Sequence, residues 1–189
     1  MGTDIHSVFQ KRTENGWEDV GTNYDEPRHY VLFAWIGDVR NGYGFAGIKT
    51  HNKIVPLSSG RGLPEDFQHT VEDWEYCHGD KWLGDHSHSW LTADEILNAT
   101  PPKIIRSGVI TIEQYNKWDG GEPEGGWCGG ISGPAVVLVE SESEIDNKTT
   151  HIRVSWEEDT KEYFEYFINE VKRLKDLHGE VRFVFGFDS

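Results

Sequence analysis

The chain has 189 residues with a hydrophobic content of 36%, including eight Trp, seven Tyr and nine Phe, and this composition predicts one folded domain over residues 1–189. Its formal net charge of -15 excludes nonspecific binding to duplex nucleic acid or to an anionic membrane, because both need a basic face. The two cysteines, Cys77 and Cys128, are too few for a disulfide framework, and no apolar run is long enough to cross a membrane or to act as a secretion signal. The sequence therefore predicts a cytoplasmic protein with free thiols.

Two strands are predicted at the start of the chain. Residues 4–12 alternate between polar and apolar side chains, so Asp4 and His6 should share one face of a strand. Residues 14–16 read Glu-Asn-Gly, a hairpin turn signal, and they predict a returning strand over residues 17–21.

A helix and a glycine-broken loop follow. Acidic residues and a proline at 25–27 predict a helix that ends at residues 41–42, with Arg40 in its last turn. The later sequence Ser-Ser-Gly-Arg-Gly at 58–62 offers backbone N–H groups and the forked cation of Arg61 to phosphate oxygens, although a plain surface loop fits the same composition. A second helix is predicted from residue 64 to about residue 79.

The stretch 84–92 is the densest group of chemically useful side chains in the sequence. In an extended conformation, His86 and His88 share one face, while Ser87 and Ser89 share the opposite one. The stretch ends in a capping-box pattern that predicts a short helix through residue 98. We expect it to meet the Asp-Ile-His segment near the N-terminus and to form a polar site for a phosphate-bearing ligand.

The second half of the chain predicts further strands over 104–110, 134–139, 151–156 and 180–187, and helices over 111–118 and 159–177. The glycine-rich segment 119–134, which contains Trp127, is interpreted as a flap over a site or as a long surface loop. This order of elements predicts an α+β fold with a mixed or antiparallel sheet, several short helices, and a long C-terminal helix followed by a terminal strand.

Three kinds of chemistry fit the polar residues. Two strands could offer ligands to one divalent metal ion that activates water, because the spacings Asp-x-His and His-x-His suit such a site. The candidate ligands are Asp4, His6, His86 and His88, with Asp85 or Asp188 as an optional further ligand. Without a metal, the same histidines would act as general acid and base, with Asp4 orienting His6. In that case Ser87 or Ser89 would hydrogen-bond the phosphate.

The third interpretation is binding without reaction. A nucleotide would be held by charge and by stacking. The residues expected to hold it are Arg28, Arg40, Arg61 and Arg106, together with His86 and Trp127. Against all three stands the interpretation that the histidines are ordinary hydrogen-bonding groups in a loop that Trp90 packs against the core.

Four segments resemble an uncharacterised family of bacteriophage and prophage proteins. They are the start Met-Gly-Thr-Asp-Ile-His at 1–6, Arg-Gly-Leu-Pro at 61–64, His-Ser-His-Ser-Trp-Leu-Thr at 86–92 and the closing strand 181–188, which ends Phe-Asp. Thr3 stands where the family has cysteine, so a thiol role at that position is not expected.

The resemblance implies a phage accessory protein that counters host defence in the cytoplasm of the bacterial host. It suggests a host nucleotide second messenger, cyclic or of the ADP-ribose type, as the ligand. The expected activity is phosphodiesterase-like cleavage. The alternatives are a non-catalytic sponge that sequesters the messenger and an acidic inhibitor that binds a host protein. A homo-oligomer is left open.

Overall fold

The computed structural model describes residues 2–25, 27–68 and 83–189 and contains, in that part of the chain, seven strands and four α-helices in an α+β arrangement. The predicted fold class is confirmed, including the long C-terminal helix and the strand that follows it. The chain divides into two compact units, one made of residues 1–41, 55–101 and 161–189 and the other of residues 42–54 and 102–160. The prediction that residues 1–189 form one domain stays a prediction, and each unit is described by itself.

The first unit is built on a four-stranded antiparallel sheet. Its elements are β1 (Asp4–Thr13), β2 (Gly16–Val20), α1 (Tyr30–Gly37), β3 (His86–Thr92), α2 (Ala93–Asn98), α4 (Lys161–His178) and β7 (Val181–Asp188). The strand order is β2-β1-β7-β3, so the last strand of the chain lies between the first strand and β3.

The second unit has a smaller mixed sheet. Its elements are β4 (Lys103–Thr111), α3 (Ile112–Tyr115), β5 (Leu138–Val139) and β6 (His151–Asp159), in the strand order β4-β6-β5. β4 and β6 pair antiparallel along their whole length, whereas β5 is a two-residue strand parallel to β6. The strand predicted over 134–139 is therefore reduced to its last two residues.

β7 is the centre of the first unit because it is buried on both faces from Val181 to Phe187. On one face Phe183 packs 4.7 Å from Phe9, and Phe187 packs 5.1 Å from Phe33, ring centre to ring centre. Each fully buried phenylalanine contributes roughly 1.5–3 kcal/mol of burial free energy. The alternation in the sequence predicts this aromatic face, but it does not predict that the opposite face is covered as well.

α1 is shorter than the sequence predicts and ends before Arg40. It begins after His29, whose Nδ1 accepts a hydrogen bond from the backbone N–H of Leu32. It ends where Asp38 adopts the left-handed conformation, with φ 61°, and the side chain of Asn41 donates to Asp38. Arg40 therefore lies in the loop after the helix, not in its last turn.

The helix predicted from residue 64 does not begin there. Residues 65–66 form a turn, and Asp66 accepts a hydrogen bond from the buried guanidinium of Arg182. Residues 67–68 are irregular, and residues 69–79 of that predicted helix, including Cys77, lie outside the described residues. The capping box at Thr92 is confirmed, because Thr92 and Glu95 exchange side-chain and backbone hydrogen bonds at the start of α2. Among the helices of the described part of the chain, none is long and apolar enough to cross a membrane.

Candidate functional site

Three strands have their termini together at one end of the first unit's sheet. The start of β1, the end of β7 and the start of β3 lie side by side, with Ile5 and His86 both opposite Phe187. The Asp-Ile-His segment and the His-Ser-His segment therefore do reach the same end of the sheet, but β7 separates them. We call the polar residues gathered here the strand-end cluster: Thr3, Asp4, His6, Arg28, Arg40, His86, Ser87, Asp188 and Ser189.

One face of the strand-end cluster consists of two side-chain pairs. His6 Nε2 lies 3.1 Å from Asp188 Oδ2, and Arg28 donates two hydrogen bonds of 2.7 and 2.6 Å to the carboxylate of Asp4. The hydrogen bond from Arg28 lowers the pKa of Asp4, and the same bond raises the pKa of the Arg28 guanidinium. The sequence predicts that Asp4 orients His6, but in the structure Asp188 contacts His6 and Asp4 binds Arg28.

The other face is a continuous chain of hydrogen bonds. Arg40 Nε donates to Thr3 Oγ1 at 2.8 Å, and Thr3 Oγ1 lies 3.0 Å from Ser189 Oγ. Ser189 Oγ is also 3.1 Å from His86 Nε2, and the other ring nitrogen of His86 lies 3.0 Å from Ser87 Oγ. Thr3 is fully buried. A cation, three hydroxyls and an imidazole thus line up across the end of the sheet.

Ser87 lies in a β-bulge that turns the two neighbouring histidines away from each other. Between His86 and Ser89 three residue steps along β3 match two along β7, and the extra residue, Ser87, has φ 54°. A left-handed conformation costs a residue other than glycine about 1–2 kcal/mol. His86 consequently shares the face of Phe187, whereas His88 lies over Gly186 on the opposite face. The prediction that His86 and His88 share a face is wrong.

Two of the four non-glycine residues with a positive φ in the described part of the chain lie beside the hydroxyl chain. Besides Ser87, Arg40 has a positive φ, of 56°, and both side chains end on the chain that joins Thr3 to His86. Strained residues persist only where the surrounding structure fixes them, and they tend to occur at functional sites.

His88 and Ser89 have packing roles in the structure. His88 Nε2 contacts the carbonyl oxygen of Gly84 at 3.0 Å, which holds the backbone of residues 83–84 across β7. Ser89 is fully buried and donates to Ser58 Oγ at 2.9 Å. Neither side chain joins the hydrogen-bonded chain of the strand-end cluster.

Arg61 ties two segments of the first unit together. Its guanidinium donates to Glu95 at 2.8 and 3.2 Å and lies 5.4 Å from the ring centre of Trp90. The sequence predicts Arg61 as a phosphate-binding residue, but its guanidinium binds the start of α2 and lies outside the strand-end cluster.

Trp127 belongs to the second unit, where it packs edge-to-face against Trp156 at 5.4 Å and covers Gly108 of β4. Its neighbour Cys128 forms two backbone hydrogen bonds with Val109. This part of the glycine-rich segment is thus fixed on the edge of β4.

The sequence reasoning missed Thr3 and Ser189 as members of the site. It names Asp188 as an optional metal ligand and not as the partner of His6, and it names Thr3 only as the residue that replaces a cysteine. Their importance depends on which strands are neighbours, and nothing in their local sequence signals it. Within residues 2–25, 27–68 and 83–189, no group of three His, Cys, Asp or Glu side chains could hold a metal ion.

The strand-end cluster can bind an anion and can move a proton. Arg40 donates to Thr3 at one end of the hydroxyl chain, and the ring of His86 contacts Ser189 Oγ at the other, so a cation and an imidazole flank the hydroxyls. Comparisons with known proteins add nothing to this chemistry, because no protein-family model, no curated protein and no solved structure matches the chain.

Proposed function

We propose that the strand-end cluster binds the phosphate group of a small nucleotide. The observation that carries this proposal is the hydroxyl chain from Thr3 to Ser189, which Arg40 reaches from one side and His86 from the other. A phosphate oxygen accepts hydrogen bonds from guanidinium, imidazolium and hydroxyl groups alike, and charge-assisted bonds of this kind are the strong ones. The surplus of carboxylates elsewhere in the chain opposes a long polyanion far more than a single nucleotide.

The resemblance to phage proteins supplies the biological context for this proposal. A phage accessory protein that binds a small nucleotide would act on a host second messenger, either cyclic or of the ADP-ribose type. In its simplest form the protein captures the messenger and keeps it from the host receptor.

Cleavage is the second candidate, and the imidazole of His86, which contacts Ser189 in the hydroxyl chain, favours it. His6 pairs with Gly186 and His86 pairs with Phe187, so the two rings lie on opposite faces of the sheet and only His86 is on the face of the hydroxyl chain. His86 would take a proton from water as the water oxygen bonds to phosphorus, and it would give the proton to the leaving oxygen as the phosphorus–oxygen bond breaks. Arg40 would stabilise the charge on the phosphate oxygens.

Chromatography of a ligand panel distinguishes these two forms. Purified protein is incubated with cyclic dinucleotides and ADP-ribose derivatives, and the mixture is analysed before and after heat denaturation. Ligand that disappears and returns intact after heating shows capture, whereas a new product that persists shows cleavage. A panel that is untouched throughout overturns both forms and favours an acidic inhibitor of a host protein.

Variants of the strand-end cluster test which residues act. Arg40→Gln should weaken capture by about tenfold or more, because it removes a charge-assisted hydrogen bond. The matched control is Arg12→Gln, which removes an exposed arginine of β1 outside the cluster. His86→Gln should abolish cleavage, because the amide cannot carry a proton between water and the leaving oxygen, and it should weaken capture less than Arg40→Gln does. Equal binding by the Arg40 and Arg12 variants would overturn the assignment of the phosphate to this cluster.

EDTA treatment tests the metal alternative for the same reaction. Activity that survives EDTA assigns the proton transfers to His86 without a metal ion. Activity that is lost with EDTA and restored by added divalent metal would overturn the mechanism given above.

A further inference from the structure

The second unit carries a polar groove of about 450 Å³ on the exposed face of β4 and β6. Its floor is formed by Ser107 and Ser155, which are directly opposite each other on the two strands. Lys49 and His51 line one side, and Arg153 lines the groove as well. We call this feature the serine groove.

The serine groove follows from side-chain size along the sheet. Residues 105 and 107 on β4 and residues 153 and 155 on β6 point to one face, because side chains alternate along a strand. Serine is small, so the two serines leave a hollow between larger neighbours. The segment that contains Lys49 is held beside this hollow, because the backbone N–H of Ser107 donates to the carbonyl of Thr50 at 2.8 Å.

Several polar side chains of the serine groove have no partner in the described part of the chain. Lys49 forms no ion pair there, although the protein has 33 acidic and only 18 basic residues. The hydroxyls of Ser107 and Ser155 make no hydrogen bond with any described residue. Most polar side chains of the strand-end cluster have a hydrogen-bond or ion-pair partner. A group of donors without such partners therefore distinguishes the serine groove.

His51 adds a buried group with unmet hydrogen-bonding capacity. It is 1% exposed, and its Nδ1 lies 2.7 Å from the carbonyl oxygen of Asn52. A carbonyl only accepts, so Nδ1 carries the proton and Nε2 keeps the lone pair. This Nε2 has no hydrogen-bond partner among the described residues, and burial lowers the pKa of His51, which keeps the ring neutral. Buried polar atoms without partners are uncommon in folded proteins.

We propose that the serine groove binds the phosphate monoester of a small hydroxylated molecule. Lys49 and Arg153 supply positive charge, and the two serines supply donors for phosphate oxygens. Glu140, which also lines the groove and accepts a hydrogen bond from Arg153, can accept another from a ligand hydroxyl. The volume lies within the range of roughly 300–1,000 Å³ that is usual for small-molecule sites. This site is independent of the strand-end cluster and does not rest on the proposed function.

Calorimetric titration with ribose 5-phosphate tests the proposal. The wild-type chain should bind one molecule saturably, and Lys49→Glu should weaken binding by about tenfold or more, because it replaces an attracting charge with a repelling one. Lys53→Glu is the matched control, since Lys53 is an exposed lysine of the same segment that does not line the groove. Ser155→Val should also weaken binding, because it fills the floor and leaves every charge in place.

Backbone amide NMR spectra locate the bound ligand. Ribose 5-phosphate should shift the amide signals of residues 49, 107 and 155, and Arg40→Gln should leave these shifts unchanged. Absence of saturable binding by the wild type overturns the proposal. So does equal binding by the Lys49 and Lys53 variants, and so does a set of shifts confined to the strand-end cluster.

Discussion

Glu170 on α4 binds residues 22–23, which precede α1 in the chain. Its replacement by glutamine should destabilise the first unit, and the loss of stability should depend on pH. Its carboxylate accepts hydrogen bonds from Thr22 Oγ1 at 3.0 Å and from the backbone N–H of Asn23 at 2.7 Å. Arg173 donates two more, at 2.7 and 2.6 Å. The side chain is 6% exposed, so these bonds replace nearly all of its hydration.

The magnitude follows from the ionisation of this carboxylate. The hydrogen bonds from Arg173 are the largest cause that lowers the pKa of Glu170, from the ordinary value of 4.5 to about 2. A shift of this size corresponds to about 3 kcal/mol of folding free energy. Arg173 itself is more than a third exposed, and water screens its charge. We therefore expect Glu170→Gln to lose about 2 kcal/mol near neutral pH.

The sign of the pH dependence is fixed by the direction of this shift. A lowered pKa means that the folded state releases the proton more readily than the unfolded chain. The stabilisation is therefore complete above about pH 4.5, declines as the pH falls toward about 2, and disappears below that. The deficit of the Glu170→Gln variant should shrink over the same interval.

Denaturant unfolding followed by tryptophan fluorescence measures the deficit, at about neutral pH and at steps down toward about pH 3. Glu165→Gln is the matched control, because it removes an exposed carboxylate from the same helix. The reasoning is refuted if the two variants are equally stable at neutral pH. It is also refuted if the deficit of Glu170→Gln stays constant as the pH falls.

Three further substitutions give predictions for the same unfolding assay. Gly186→Ala should destabilise the protein by about 1–3 kcal/mol or more, because the added Cβ would lie 2.0 Å from the carbonyl oxygen of Leu83. Its control is Gly21→Ala, which should not destabilise the protein because no atom lies within 4 Å of the added Cβ. Thr92→Ala should cost about 1 kcal/mol by removing the N-cap of α2, and an unchanged midpoint would contradict that role. Trp127→Ala should cost about 2–3 kcal/mol, because the indole is half-buried against β4; a loss below about 0.5 kcal/mol would show that the ring is not part of the packing.

The candidate site could be predicted only in part. The sequence places Asp4 and His6 on one face of a strand and identifies residues 86–92 as important, and both segments contribute to the strand-end cluster. It does not reveal the bulge at Ser87, which reverses the expected direction of His88. Two close approaches accompany this bulge, because an added Cβ at Gly84 or at Gly186 would collide with backbone across β7. These close approaches join residues that are far apart in the chain, and a periodic pattern in the sequence cannot indicate them.

The sequence by itself determined the local elements of this protein. The apolar stripe of α4, the alternating phenylalanines of β7 and the capping box at Thr92 all act between residues a few positions apart, so their patterns specify structure directly. Only the tertiary structure decided that β7 lies between β1 and β3. Strand pairing depends on contacts between distant segments, so no local pattern indicates which strands become neighbours. The gathering of Arg40, Thr3, Ser189 and His86 at one end of the sheet is a consequence of that pairing.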